Sequence, residues 1–265
     1  GPPGAGKSSL INNLILKLRS QNKMVAVICI DPTSPFSGGA ILGDRIRMLK
    51  HYDDPGVFIR SMASRNASGG LALASSEACD VLDASGFDVV IFETLGVGQV
   101  EIDVMNEADT VAVVLVPESG DDIQMMKSGL IEIADLYVVN KSDRPGADRL
   151  STTLNNMLET NPSPISSEWR TPIVKTNALN NEGTNELLDS IESHLQFMKK
   201  EGALKKKTDD RYQRQVRSIV QGRYDKYLWG DKKKLDLMSS ELDKEVSNRI
   251  SPTDLVDSIL KDENY

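Results

Sequence analysis

The chain opens Gly1-Pro2-Pro3-Gly4-Ala5-Gly6-Lys7-Ser8, which satisfies G-x-x-x-x-G-K-[ST] at every specified position. Glycines at both ends let such a loop curl into a nest of backbone N–H groups aimed at phosphate oxygens. The lysine reaches the β- and γ-phosphates and the hydroxyl of the last residue can coordinate Mg²⁺. A helix must follow, so that its positive end faces the anion. Residues 8–19 provide one, with Leu10, Leu14 and Leu18 at i, i+4 and i+8. The candidate phosphate contacts are Gly1, Gly4, Ala5, Gly6, Lys7, Ser8 and Ser9. A loop of this kind follows a buried strand, and no residue precedes Gly1. The sequence is therefore read as lacking its N-terminus and, with it, the first, central strand of a sheet.

The rest of the chain reads as the fold that such a loop requires. Met24–Ile30, Phe87–Phe92, Thr110–Val116 and Leu136–Val139 are short, β-branched and almost continuously apolar, as strands buried on both faces of a parallel sheet are. Helices are expected at about 65–84, 122–134, 147–159 and 184–198, with a short strand near 172–175. The expectation is a three-layer α/β P-loop NTPase domain over residues 1–198 with a mostly parallel sheet. From Lys199 onward strands disappear, and the lysine triplets 205–207 and 232–234 mark a helical extension over 199–265. A tail too thin for its own core packs on the main domain or on a second copy, so a homodimer is expected.

Composition removes several classes. With 31 basic against 39 acidic residues the formal charge is −8, which argues against a nucleic-acid binder working through a basic surface. No apolar run approaches the roughly 18 residues of a membrane span. Cys29 and Cys79 lack a C-x-x-C spacing and read as buried, reduced thiols of a reducing compartment. The compartment expected is a bacterial cytoplasm or, in a eukaryote, a mitochondrial matrix, with targeting left open by the missing N-terminus. His51 and His194 lie far apart and read as surface residues rather than metal ligands.

The nucleotide is read from Asn140-Lys141-Ser142-Asp143, directly after the Leu136–Val139 strand. Guanine presents an N1–H and a 2-amino group, and the Asp143 carboxylate can accept both. Lys141 lays its stem over the ring and Asn140 ties the loop together. Adenine would leave that acceptor unmatched, so the reading is GTP and GDP over ATP. Thr176-Asn177-Ala178 fits the further loop behind the base, with Asn177 and Ala178 as candidate contacts.

Phosphoryl transfer also needs Mg²⁺ and a group that orients water. Asp31 ends one strand, Asp44 lies in a glycine-rich stretch (37–45) suited to a switch, and Glu93 ends another strand in Glu93-Thr94-Leu95-Gly96-Val97-Gly98-Gln99. Ser8, Asp31, Asp44 and Glu93 are the candidate metal residues. Gly96 is placed to sense the γ-phosphate through its N–H. Gln99 reads either as the water-orienting residue or as a surface glutamine of a partner-responsive loop.

These stretches closely resemble the MeaB/ArgK family of GTPases. The resemblance runs through Asp31-Pro32-Thr33-Ser34, Ser37 to Asp44, Glu93 to Gln99, Ser119 to Gln124, Gly129 to Asp135 and Trp169 to Pro172, over roughly residues 1–198. It implies a GTP-hydrolysing chaperone of adenosylcobalamin-dependent acyl-CoA mutases, chiefly of the methylmalonyl-CoA type. Such a chaperone gates cofactor loading, protects the mutase and hydrolyses GTP faster when bound to it. By position, the resemblance assigns Lys7, Asp31, Asp44 and Glu93 to Mg²⁺ handling and hydrolysis, and the helical tail to dimerisation. Thr33 and Leu95 stand where Ser and Val are common, and Pro117-Glu118-Ser119-Gly120 replaces a more usual Pro-Gly-Ala-Gly. Two other readings are a nickel- or cobalt-insertion GTPase, which would need soft or imidazole ligands, and a transport-associated kinase or ATPase, which would need an acceptor site.

Overall fold

α1 (Lys7–Ser20) begins directly on the phosphate loop, from a Gly6 in left-handed conformation (φ 87°). Its first turn carries no acidic residue, while Lys17 and Arg19 occupy the last turn. The helix dipole is thus left uncompensated at the loop end and balanced at the other. This is a computed structural model. It describes residues 1–32, 48–51, 53–64, 70–94, 106–117, 134–160 and 169–260, with backbone alone at 31–32, 49, 63–64 and 70–73.

Among the described residues six strands follow: β1 (Val25–Pro32), β2 (Val57–Ser64), β3 (Val89–Thr94), β4 (Ala112–Leu115), β5 (Leu136–Val139) and β6 (Ile173–Lys175). They form two three-stranded sheets, ordered β2-β1-β3 and β4-β5-β6, and every pairing is parallel. Between them run α2 (Gly70–Ala84) and α3 (Ala147–Thr160), and α4 (Thr184–Lys200) follows β6. The expected helix at 122–134 lies almost wholly outside the described residues.

Strand alternation explains the layers. Val25, Val27 and Cys29 of β1, Val114 of β4 and Leu136 and Val138 of β5 share one core with α1 and α4. Ala26, Ile28 and Ile30 turn the other way, onto Leu82 of α2. Val113, Leu115, Tyr137 and Val139 pack instead on Leu154 of α3. Helices thus cover both faces of the strands, the three-layer α/β arrangement expected.

β2 was not anticipated. It is an edge strand, and Phe58 and Arg60 are exposed on it while Val57 and Ile59 pack inward. Such a half-buried strand shows alternation rather than an apolar run. Its start is held by Arg19, whose guanidinium meets Asp54 at 2.9 Å through both Nε and Nη2.

The histidines correct the expectation of surface positions: His51 is 5% exposed and His194 0%. The His51 ring faces Asn12 Oδ1 at 3.1 Å. His194 of α4 sits beneath Trp169, with ring centroids 4.8 Å apart. Its Nδ1 faces the Thr110 hydroxyl at 2.8 Å and its Nε2 lies 3.4 Å from Asp135 Oδ1. Asp135 also accepts from the Val111 N–H at 2.7 Å, and its carbonyl accepts from the Trp169 indole. Burial pushes the His194 pKa down and the Asp135 pKa up.

The chain divides into two units, Gly1–Arg211 and Tyr212–Tyr265. Helix α5 (Ala203–Gly230) runs through the boundary. Within the first unit, Lys207 donates to the Asp109 carbonyl and Arg211 to that of Glu107. The second unit continues α5 and adds α6 (Lys232–Leu242) and α7 (Pro252–Leu260). Asp231 caps α6 by accepting from the Lys233 N–H, and the Lys234 ammonium lies 5.6 Å from the centre of the Tyr227 ring.

Candidate active site

The phosphate loop lies at the C-terminal ends of the strands, where open α/β sheets bind ligands. Gly4 and Gly6 both have positive φ, 78° and 87°. At Gly6 a Cβ would also collide with the Asn140 amide, so two independent constraints require glycine there. Ala5 is fully buried, and its N–H donates to the Pro2 carbonyl. Lys7 arches back over the loop, and its ammonium donates to the carbonyls of Gly1 at 2.7 Å and Pro2 at 2.8 Å. The only cation built into the loop therefore sits within it, where phosphate charge would develop. Ser9 follows Ser8 in the first turn of α1, half-buried.

Two predicted metal residues meet. Ser8 Oγ donates to Glu93 Oε1 at 2.5 Å, across 85 positions of sequence. Glu93 ends β3 and is 3% exposed. A hydroxyl and a carboxylate oxygen side by side make a hard-oxygen donor set, the kind Mg²⁺ prefers. These two residues fit the ion. The backbone of Asp31 lies near the C-terminal end of β1, its side chain outside the described set. Asp44, Gly96 and Gln99 fall outside the described residues altogether.

Asn140 joins the phosphate and base regions. It is 1% exposed and donates through Nδ2 to the Ala5 carbonyl at 2.7 Å. Its Oδ1 accepts from the Thr176 hydroxyl at 3.0 Å and the Ala178 N–H at 3.2 Å. One amide thus uses donor and acceptor to bind the loop at residue 5 to the loop at 176–178. Lys141 follows in left-handed conformation (φ 56°), which turns the chain so that Asp143 stands exposed. Asn177 is buried and accepts from the Leu179 N–H, which closes the 176–179 loop on itself.

Sequence reasoning missed one brace. Asn13, inside α1, donates to the Ala178 carbonyl at 2.8 Å. The signal was the pair Asn12-Asn13 in mid-helix, where asparagine is poorly suited unless a side chain has a partner.

A parallel three-layer α/β domain, a P-loop leading into α1 and an N-K-x-D loop held against it are the parts of a P-loop GTPase. The chain belongs to the family described as methylmalonyl Co-A mutase-associated GTPase MeaB, which matches residues 1–233. A GTPase of Pyrococcus abyssi is 48% identical over 273 residues, covering 99% of this chain and 81% of the relative. The mitochondrial methylmalonic aciduria type A homolog of Mus musculus is 33% identical over 224 residues, covering 83% of this chain and 54% of its own length. The crystal structure of an LAO/AO transport system kinase superposes with a TM-score of 0.69 at 23% identity, covering 98% of this chain and 78% of that one. The nickel complex of HypB from Helicobacter pylori gives a TM-score of 0.52 at 19% identity, over 76% of this chain and 85% of that one. Both structural likenesses are of fold alone. No described helix is long and apolar enough to cross a membrane.

Proposed function

We propose that this GTPase serves an adenosylcobalamin-dependent acyl-CoA mutase of the methylmalonyl-CoA type as a chaperone, coupling GTP hydrolysis to cofactor loading and to protection of the mutase. The observation that carries the reading is the family match, which extends through the nucleotide site and the whole of α5. Within the site, the loop N–H groups and the N-terminus of α1 bind the phosphates. Lys7 exchanges the Gly1 and Pro2 carbonyls for phosphate oxygens, while Asp143 and the Lys141 stem hold the guanine. Ser8 and Glu93 would hold Mg²⁺, together with Asp31 and Asp44 in the assignment made from sequence. Bound there, the ion would supply positive charge against the phosphates. Gly96 and Gln99 belong to the segment that senses the γ-phosphate and orients water. Slow turnover alone and faster turnover with the mutase are the expected pattern for a site completed by its partner.

The helical arm over 199–265 is proposed to form a homodimer. Val216 (42% exposed), Val220 (60%) and Tyr227 (66%) give α5 an apolar stripe at helical spacing. Sedimentation of the whole chain should show a dimer, and Val220→Glu should shift it toward monomer.

The functional test is the GTPase rate measured with and without a purified cobalamin-dependent mutase, alongside size-exclusion of the mixture. A complex and a stimulated rate support the reading. Neither complex nor stimulation overturns it.

A further inference from the structure

Glu93 is a carboxylate buried almost completely, and such a group is costly unless both its oxygens are satisfied. Oε1 takes the Ser8 hydroxyl. The second oxygen has a partner from the neighbouring strand: Cys29 Sγ lies 3.9 Å from Oε2, within reach of a sulfur hydrogen bond. The parallel register of β1 and β3 sets Cys29 opposite Glu93, so the contact is built by the strands rather than by a loop.

The residue type at this position is informative. β1 is the central strand of its sheet, and its α1-facing positions are Val25, Val27 and Cys29, all 1% exposed or less. Aliphatic side chains fill the first two. Cysteine stands at the position opposite Glu93, where a small apolar residue would fill the space but supply no donor. A thiol does both: it packs as a small hydrophobe and carries an S–H.

We infer that Cys29 is a positioning residue for the GTPase site, its thiol donating to Glu93 Oε2 and so turning Oε1 toward Ser8 and the divalent cation held there. This rests on the reading of Ser8 and Glu93 as metal residues. The chemistry is that of outer groups around a metal, where a donor to a ligating carboxylate fixes its orientation. The thiol takes no covalent part.

The test uses the whole chain saturated with GDP and titrated with Mn²⁺, followed by the electron paramagnetic resonance of free Mn²⁺. Thermal denaturation without metal is recorded in parallel. Three variants separate donor from packing: Cys29→Ala removes both, Cys29→Val keeps an aliphatic filling without a donor, and Cys29→Ser keeps an O–H. The expected result is a Mn²⁺ dissociation constant weakened by about tenfold in Ala and Val and close to wild type in Ser, whatever their denaturation midpoints. Should Cys29→Ala fail to fold, Val against Ser carries the comparison. Equal Mn²⁺ affinity in wild type, Val and Ser overturns the inference and leaves Cys29 a packing residue. A wild-type GDP complex that binds no Mn²⁺ overturns the metal reading of Ser8 and Glu93, and this inference with it.

Discussion

Two buried polar clusters stand at opposite ends of the parallel strands, and they are built for different tasks. At the C-terminal ends Ser8 holds Glu93, while Lys7 and Asn140 hold the loop carbonyls. At the N-terminal ends Asp135, His194, Thr110 and Trp169 hold one another and the strand beginnings. Both bear the cost of removing polar groups from water. The first cluster ends on carbonyls that phosphate oxygens could replace as acceptors for Lys7, and on a hydroxyl and a carboxylate that a cation could join. The second encloses a fully buried ring of α4 between fixed partners on the segments just before β4, β5 and β6. Buried polarity at one end is exchangeable, and at the other it is a rivet.

The largest effect should come from the exchangeable end. Lys7→Ala is expected to lower GTP turnover by about three orders of magnitude, the scale for losing a group aimed at transition-state charge. The midpoint of thermal denaturation should barely move, because the lost hydrogen bonds go to carbonyls of one partly exposed loop. Phosphate release and calorimetry on the same preparation check both halves. A large fall in stability would erase the contrast with the rivet.

Next comes Asp143→Ala, expected to weaken GTP by about 100-fold through loss of two charge-assisted hydrogen bonds to guanine. ATP, which offers that carboxylate no matching donor pair, should change little. Competition with a fluorescent GDP analogue measures the two. Because Asp143 is exposed, stability should be unaffected.

The rivet should give the reverse pattern. Asp135→Ala leaves the buried Val111 N–H without its acceptor and opens a gap beside the His194 ring, at a cost of about 2 kcal/mol of folding stability. Turnover per folded molecule should stay within error of wild type. Urea denaturation, with activity normalised to folded protein, reads both. A catalytic defect in the folded fraction would show that the two ends communicate.

What could be read from the sequence follows from the range of the interactions involved. The P-loop, α1, β1 and β5 were legible because their signals are local: glycine spacing, leucines at helical intervals and β-branched runs. The partners Ser8–Glu93 and Asn140–Ala5 lie 85 and 135 positions apart. Motif chemistry assigned these residues to one site, but the role of Asn140 as a two-sided staple needed the fold. β2 escaped because an edge strand mixes exposed Phe58 and Arg60 with inward-facing residues. The histidines were placed at the surface because two isolated imidazoles give no pattern. Their burial depends on Asn12, Thr110, Asp135 and Trp169, none adjacent in sequence.

The smallest effect expected is a pH dependence, and its sign distinguishes the rivet from an ordinary ion pair. His194 faces Asp135, Asp109 and Lys207, yet burial outweighs the carboxylates and lowers its pKa below 6.5. His51 is lowered for the same leading reason, beside Asp54 and Lys50. In the window between those lowered values and 6.5 the unfolded chain binds more protons than the folded one, so stability rises with pH. The contribution is complete above 6.5 and is lost as pH falls through the folded-state values. Asp135, whose pKa burial raises above 3.8, has the opposite slope in its own window: the folded state holds the extra proton there, and stability falls as pH rises. A histidine stabilised as the cation by Asp135 would instead gain stability on acidification. Urea midpoints just above and just below pH 6.5 for wild type, His51→Gln and His194→Gln decide the matter. The expected result is a wild-type midpoint that drops on acidification and a smaller drop in each variant. A midpoint that climbs instead would mean that the buried pair is held by charge, and that the two ends of the strands are alike after all.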